Sequence, residues 1–508
     1  MSNPANENSA QKLNYPKTIL AGFAFLGVSV AWSIYTPYLT KILDSFLLAS
    51  ETVAGWSARF AGSPLLAQFV ATQTNKDMTD TGGFSIVPLL IGVVMTFIYV
   101  LGVIFQPIFG RVSDGLRSRW GKRRPFIVLL MPISALVFIF LPLTSTLGSL
   151  IAVILIFSFV MAAYRPPVVS LMPDLTPSAL RSSGNAVISL MGGVGTLLGM
   201  VAGTLINMVY TRAKGIPAGQ LNEFDTFPHV FIVSAVIMLV CAAVTLFVRE
   251  QDTRLLPNEI GEQSRKQQKE TRRAEKLSKP ERRSLLFFLG GLFFLFSGTT
   301  VIQTFFVLFA GEILHIETQK ATLLMALFAV FAAAGAVPAG AFGRKLGRKK
   351  TIMIGMAGLM VSLLLFFGLF LGVCAANGLN MNEYVALNNA YGTGGDHAVV
   401  DACIRLFSLL IYPVLAFAGF ASMLVMVNAM PLVVEIGGSE RVGTFTGYYY
   451  IASYSAQIAS PILYGLFRIF SGSYLSLFYY CPVMFVVSMA AILFVKHGEA
   501  KQEQLAAA

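Results

Sequence analysis

Apolar segments recur along the chain, separated by short polar loops, and each is about 20 residues or more, enough to cross about 30 Å of hydrocarbon. Because the core of a bilayer offers no water to backbone amides, each segment is predicted to be a helix. The pattern predicts an all-α polytopic membrane protein with twelve transmembrane helices, at residues 18–40, 84–109, 125–145, 149–172, 182–207, 229–248, 285–310, 321–342, 351–374, 406–431, 442–467 and 474–495.

Composition agrees with the spacing of the apolar segments. Hydrophobic residues make up 56% of the 508 residues and charged residues only 12%, against about 25% charged residues in soluble proteins. Such a chain is too apolar for a water-facing surface. This excludes a soluble globular enzyme, a disordered chain and a secreted disulfide scaffold.

Lysine and arginine are distributed asymmetrically among the loops. With the N-terminus inside, 28 of the 37 basic residues fall on the cytoplasmic side. The positive-inside rule then predicts that both termini are cytoplasmic, and we expect an integral plasma (inner) membrane protein. The net charge of +12 is accounted for by topology and by attraction to anionic membrane lipid, so nucleic acid is not an expected partner.

A charged segment divides the predicted helices into six and six. It carries eleven basic residues over 249–284 and is interpreted as a basic cytoplasmic linker. The predicted organisation is a cytoplasmic N-terminal segment 1–17, an N-terminal six-helix lobe 18–248, the linker 249–284, a C-terminal six-helix lobe 285–495 and a cytoplasmic tail 496–508.

The two halves repeat the same loop features. A basic, glycine-bounded loop follows the second span of each half, at 110–124 and at 340–350. At the end of the fourth span of each half an acid precedes an arginine, as Asp174 with Arg181 and as Glu435 with Arg441. Parallel duplication of six spans is typical of transporters whose substrate site lies between the halves, near the middle of the membrane.

The repeated loop resembles G-x-x-x-D-R-x-G-R-R, the signature of the Major Facilitator Superfamily. The second copy fits its spacing with Arg344 in place of the acid, and the first has Asp114 but four extra residues. The run 105–126, Trp32 with 36–38, and the stretch from Asp174 to Asn185 are similar to the sucrose/maltose–proton symporter branch, near the glycoside–pentoside–hexuronide:cation symporters.

This resemblance implies a non-enzymatic carrier that works by alternating access. Its expected substrate is a glycoside, in particular a disaccharide such as maltose or sucrose, moved together with a proton. Two alternatives with the same fold stay open: a sugar uniporter or exporter, and a carrier of uronides or other organic anions. We expect a monomer, and no catalytic constellation, cofactor motif or metal-ligand spacing is present in the sequence.

Arg165 is the most informative single residue in the apolar segments. It lies in the fourth span, about 13 Å above the inner end of the helix. A charge at this depth is costly and normally faces a cavity or a partner. Its planar guanidinium suits paired oxygen atoms, so Arg165 is a candidate to bind substrate. A purely structural pairing is the alternative.

Further polar and aromatic residues within the spans could form a sugar site, since such sites combine a few polar groups with many apolar ones. Tyrosines near span ends could instead be interfacial anchors, and buried amides could join helices. Tyr450, Tyr454 and Gln457 share one helix face. The remaining substrate-binding candidates are Trp32, Tyr35, Gln106, Tyr164, Asn185, Gln303 and Asn428.

Acidic residues at helix ends are predicted to control alternating access or coupling. The predicted gate residues are Asp114, Arg124, Asp174, Arg181, Glu435 and Arg441. Plant-type sugar symporters have an intramembrane aspartate on the fourth span, where this chain has Ser158. The remaining coupling candidates are Asp174, Glu312 and Glu435.

Overall fold

The computed structural model describes residues 14–61, 85–176, 181–216, 221–248, 250, 278–389, 398–437 and 442–496. Throughout these ranges the regular structure is helical. The first half of the chain forms α1 (Tyr15–Leu48), α2 (Glu51–Ala61), α3 (Val87–Gly115), α4 (Arg124–Phe140), α5 (Leu147–Leu175), α6 (Arg181–Lys214) and α7 (Phe227–Thr245).

The second half repeats the series of long helices. It forms α8 (Lys279–Leu314), α9 (Thr318–Leu346), α10 (Arg348–Ala376), α11 (Met381–Asn389), α12 (Ala398–Gly437), α13 (Val442–Ser471) and α14 (Leu477–Leu493). Short 3-10 turns at Leu141–Leu143, Glu223–Asp225 and Tyr474–Ser476 adjoin the ends of long helices.

The long helices confirm the predicted fold class. Eleven helical segments in the described part of the chain are long and apolar enough to cross a membrane. The twelfth predicted span, 442–467, lies in α13, a helix of 30 residues with many tyrosine, serine and glycine residues. The two remaining helices, α2 and α11, are short and lie between spans.

Local sequence signals set where several helices begin. The Thr146 side chain accepts a hydrogen bond from the Ser149 amide at the start of α5, and the Ser149 hydroxyl accepts one from the Thr146 amide. Ser278 and Glu281 form the same reciprocal arrangement at the start of α8. Each capping box satisfies amide groups that have no partner within the helix, which allows α8 to begin before its apolar segment.

The chain divides into two compact units, Met1–Tyr35 with Val100–Pro257, and Thr36–Tyr99 with Asn258–Ala508. Residues 36–99, which belong to the first half of the chain, fall in the second unit. The lobe boundaries 18–248 and 285–495 therefore stay predictions.

Aromatic side chains form much of the core of each unit. In the first, Tyr35 stacks on Phe157 at 5.1 Å between ring centroids, and Phe138 lies 5.2 Å from Phe157. In the second, Phe478 stacks on Phe366 at 4.9 Å and meets Phe309 edge-on at 5.4 Å. Such packing fixes the helices that carry the functional candidates.

Candidate functional site

A cationic and aromatic pair lies inside the first unit. The guanidinium carbon of Arg165, on α5, lies 5.5 Å from the centroid of the Trp32 ring on α1. Both side chains are partly exposed. The structure therefore brings together two residues that the sequence singled out separately.

The aromatic neighbours of this pair are less accessible. Tyr35 meets Trp32 edge-on at 6.1 Å, and both Tyr35 and Tyr164 are almost completely buried. The Tyr35 ring packs α1 against Phe157 of α5, and direct contact with substrate stays a prediction for both tyrosines. Gln106 on α3 is half-buried, whereas the Asn185 side chain lies outside the described part of the structure.

In the second unit, α13 carries the predicted face of tyrosines and an amide. Tyr450 and Tyr454 stack with their centroids 6.1 Å apart, and Tyr450 is 45% exposed. One turn further, the Gln457 amide nitrogen donates 2.8 Å to the hydroxyl of Ser453 and 3.2 Å to its carbonyl oxygen. The spacing predicted from the sequence therefore produces a continuous polar and aromatic stripe along α13.

The two other candidates in this unit differ in exposure. Gln303 on α8 is exposed. Asn428 is only 3% exposed, and its amide nitrogen donates at 3.0 Å to the carbonyl oxygens of Ala339 and Leu424. One amide hydrogen of Asn428 thus joins α12 to α9 and the other bonds within α12, while contact of Asn428 with substrate stays a prediction.

In the loop between α3 and α4, the Arg123 side chain donates hydrogen bonds to several acceptors. Nε of Arg123 lies 2.7 Å from Oδ2 of Asp174, while its terminal nitrogens donate to Asp114 and to the Ser113 hydroxyl. Arg123 therefore brings Asp114 and Asp174 together, and the gate role of the two acids stays a prediction. Arg124 instead donates to the carbonyl oxygen of Leu246, and the Arg181 side chain lies outside the described residues.

A third carboxylate, from Glu250 after α7, completes this cluster. Its Oε2 accepts a hydrogen bond of 3.0 Å from the Arg123 amide. Burial raises the pKa of the Glu250 carboxyl, against the effect of the backbone donors. A Cβ on Gly121, which has φ 92, would stand 1.8 Å from the Glu250 carboxylate. Only glycine permits both this turn and this approach.

The corresponding charges of the second half are also paired. Arg348 donates to Glu435 at 2.8 Å, so Glu435 pairs with the first residue of α10. Its predicted partner Arg441 lies outside the described residues. Nζ of Lys349 donates to the carbonyl oxygens of Leu493 and Val495 at 3.2 and 2.5 Å, which ties the first turn of α10 to the end of α14.

Glu312, the remaining coupling candidate, lies near the end of α8. It pairs with Arg468 on α13 at 2.9 Å. All three coupling candidates, Asp174, Glu312 and Glu435, are therefore engaged with arginines. Within the described residues, no group of three or more histidine, cysteine or acidic side chains is placed to hold a metal ion.

Similarity to known proteins covers nearly the whole chain. Residues 18–461 and 288–508 match the Major Facilitator Superfamily. The sucrose transport protein SUC3 of Arabidopsis thaliana is 24% identical over 180 residues, which are 30% of this chain and 29% of that protein. The match thus spans less than a third of the length of this relative.

Two solved structures share the fold over almost their full length. A bacterial homologue of the human lysosomal transporter Spinster, inward-facing and occupied, superposes with a TM-score of 0.59 at 12% identity, covering 96% of this chain and 97% of that one. A D-xylose–proton symporter gives a TM-score of 0.57 at 16% identity, with coverages of 96% and 98%. Since sequence and fold agree over most of its length, the chain belongs to the Major Facilitator Superfamily, a family of non-enzymatic membrane carriers.

Proposed function

We propose that this protein is a secondary transporter of a glycoside, in particular a disaccharide such as maltose or sucrose, which it moves by alternating access in symport with a proton. The observation that carries the proposal is the Arg165 guanidinium 5.5 Å from the Trp32 ring. We place the protein in the plasma (inner) membrane with both termini cytoplasmic. It acts as a monomer and consists of a six-helix lobe at 18–248 and another at 285–495.

The chemistry of this pair suits a sugar. A pyranose ring presents apolar C–H faces that pack on an aromatic ring, and hydroxyl pairs that accept hydrogen bonds from a planar guanidinium. Trp32 and Arg165 offer one group of each kind. On α13, the stack of Tyr450 on Tyr454 offers a second aromatic surface, next to the polar side chain of Gln457.

Similar proteins support the same substrate class. A relative is described as a sucrose transport protein, and a protein with a similar fold as a D-xylose–proton symporter. In the proposed cycle, Arg123 with Asp114 and Asp174, and Arg348 with Glu435, hold helix ends on the cytoplasmic side. Protonation of Asp174, Glu312 or Glu435 would break an ion pair and so link proton binding to a change of conformation.

The test is uptake of labelled maltose and sucrose into proteoliposomes, with and without an inward proton gradient. We expect the gradient to drive accumulation above equilibrium. Arg165→Lys keeps the positive charge but removes the fork of donors, and should reduce uptake about tenfold or more by loss of about 1.4 kcal/mol of binding. Arg212→Lys, at the exposed end of α6, is the matched control and should transport normally.

Two other activities are separated by the same assay. The pairing of all three coupling acids with arginines favours a uniporter or exporter, and equilibration without accumulation would replace symport by that activity. The positive charge of Arg165 favours a uronide or other organic anion. Inhibition by glucuronide but not by maltose would replace the disaccharide by that substrate.

A further inference from the structure

Four charged side chains meet where α1, α8 and α13 end. All four lie in the unit formed by Thr36–Tyr99 and Asn258–Ala508. Lys41 and Asp44 come from the last turns of α1, Glu312 from the end of α8 and Arg468 from the end of α13. By the predicted topology, these three helix ends lie on the outer side of the membrane.

Glu312 is held by donors from α13 and from the turn that follows it. Arg468 donates to Oε2 at 2.9 Å, while the Ser473 hydroxyl and the Tyr474 amide donate to Oε1 at 3.3 and 3.2 Å. Both carboxylate oxygens of Glu312 are therefore occupied, and the end of α8 is tied to the end of α13.

The Glu312 carboxylate accepts from only one nitrogen of the Arg468 guanidinium. Its guanidinium carbon lies 4.5 Å from the centroid of the Tyr474 ring, and its side chain is 12% exposed. Nε is buried, and no group in the described part of the chain accepts a hydrogen bond from it. A buried guanidinium with an unused donor favours the approach of a second carboxylate.

Asp44 supplies a second carboxylate whose charge interacts with Arg468. It interacts electrostatically with Lys41, Glu312 and Arg468, and Tyr474 also feels its charge. Lys41 reaches towards α8, since its Nζ lies 3.4 Å from the position that a Cβ of Gly311 would occupy. Two carboxylates and two cations leave the cluster without net charge, so that removal of any one of them leaves an uncompensated charge.

We propose that Arg468 is a positioning residue of the outward-opening step, and that together with Glu312, Asp44 and Lys41 it holds the outer ends of α1, α8 and α13 closed. This inference rests on the proposed function, because alternating access requires α1 of the first half to move away from α8 and α13 of the second. Outward opening then separates Lys41 and Asp44 from Glu312 and Arg468, and exposes both pairs to water.

Removal of one charge should unbalance the closed cluster. Asp44→Asn leaves one net positive charge, because Glu312 alone cannot balance both Lys41 and Arg468. Arg468→Gln leaves one net negative charge and releases Glu312. Arg468→Lys keeps the charge but lacks Nε, and should restore part of the effect of Arg468→Gln.

The experiment measures the distance between α2 and α11 in the full-length protein in lipid nanodiscs. Spin labels are attached through Ala54→Cys and Leu387→Cys, both at exposed positions. The native cysteines are buried. The matched control is Glu317→Gln, which removes an acid paired at 3.5 Å with Lys320 at the start of α9, outside the cluster.

We expect Asp44→Asn and Arg468→Gln to raise the long-distance population about fivefold or more, a modest shift for a two-state element. Arg468→Lys should be intermediate and Glu317→Gln unchanged. Identical distance distributions in wild type, Asp44→Asn and Arg468→Gln would overturn the proposal. A wild type that transports neither maltose nor sucrose but shows the expected distances would refute the proposed substrate and leave the closing role of Arg468 intact.

Discussion

Asp174 and Arg123 form an ion pair of 2.7 Å that ties the end of α5 to the loop between α3 and α4. The same guanidinium holds Asp114 at the end of α3, so a single side chain joins two helix ends. Arg123 is 6% exposed, and its backbone amide donates a hydrogen bond to the Glu250 carboxylate. These contacts make Arg123 the organising residue of this face of the first unit.

Replacing Arg123 should therefore slow transport more than replacing any other arginine of the same loop. Arg123→Gln leaves Asp114 and Asp174 close together without their shared cation, which should cost about 1–3 kcal/mol of stability and reduce the initial rate of uptake about tenfold or more. The measurement pairs uptake with the melting temperature in detergent. Arg119→Gln, exposed in the same loop, is the control. Equal effects of the two substitutions would contradict this assignment.

Glu250 should make the stability of the first unit depend on pH in a defined direction. Because burial raises the pKa of the Glu250 carboxyl above its ordinary 4.5, its contribution is fully present below the unfolded pKa and is lost as the pH rises through the folded pKa. The melting temperature of wild type relative to Glu250→Gln should therefore fall as the pH rises above the ordinary pKa of 4.5. If the melting temperature of wild type relative to Glu250→Gln instead rose with pH, the carboxylate form of Glu250 would be the stabilising one and the prediction would be wrong.

The positions of the spans could be predicted because the bilayer imposes them. A long apolar segment must be helical in lipid, and this requirement depends on local composition alone. The short helices α2 and α11 were not predicted, since they lie outside the apolar segments. The start of α8 at Lys279 precedes the predicted 285 because the cap at Ser278 extends the helix beyond its apolar part.

The charge partners could not be predicted in the same way. The loop between α3 and α4 contains several arginines, and spacing alone does not indicate which of them folds inward onto Asp114 and Asp174. The pairing of Arg348 with Glu435 likewise joins residues far apart in sequence. By contrast, Tyr450, Tyr454 and Gln457 were placed on one face by helical periodicity, which is a local property.

Gln457 should affect apparent substrate affinity rather than folding. Its side chain is already oriented by Ser453 and lies one turn from the exposed stack of Tyr450 on Tyr454. Gln457→Ala should raise the apparent KM for the transported sugar about tenfold, the equivalent of one hydrogen bond of about 1.4 kcal/mol. The check is a concentration series of initial uptake rates. Tyr479→Phe, on the exposed face of α14, should leave KM unchanged, and an unchanged KM in Gln457→Ala would remove α13 from the site.

Asn428 should affect folding rather than apparent substrate affinity. Asn428→Ala leaves the carbonyl oxygen of Ala339 without its donor from α12 and opens a space beside Gly343, which should cost about 1–3 kcal/mol. The melting temperature should drop while the apparent KM of the protein that remains folded stays as in wild type. A raised KM at an unchanged melting temperature would restore Asn428 to the substrate site.

Close backbone contact between α3 and α13 gives the last prediction. A Cβ on Gly92 would stand 2.3 Å from the carbonyl oxygen of Pro461, and one on Gly465 would stand 2.5 Å from that of Pro88. These carbonyls belong to helix backbones that cannot yield without moving a whole helix. Gly92→Ala should therefore force α3 away from α13, although alanine by itself favours a helix by about 1 kcal/mol over glycine.

Because the two effects of the added methyl group oppose each other, a matched glycine is needed to separate them. Gly372 on α10 has no atom within 4 Å of its would-be Cβ, so Gly372→Ala should keep or raise the melting temperature. Gly92→Ala should lower the melting temperature and slow uptake, since the arrangement in which α3 lies on α13 becomes unreachable. A gain in stability from both substitutions would show that α3 and α13 do not need this close approach.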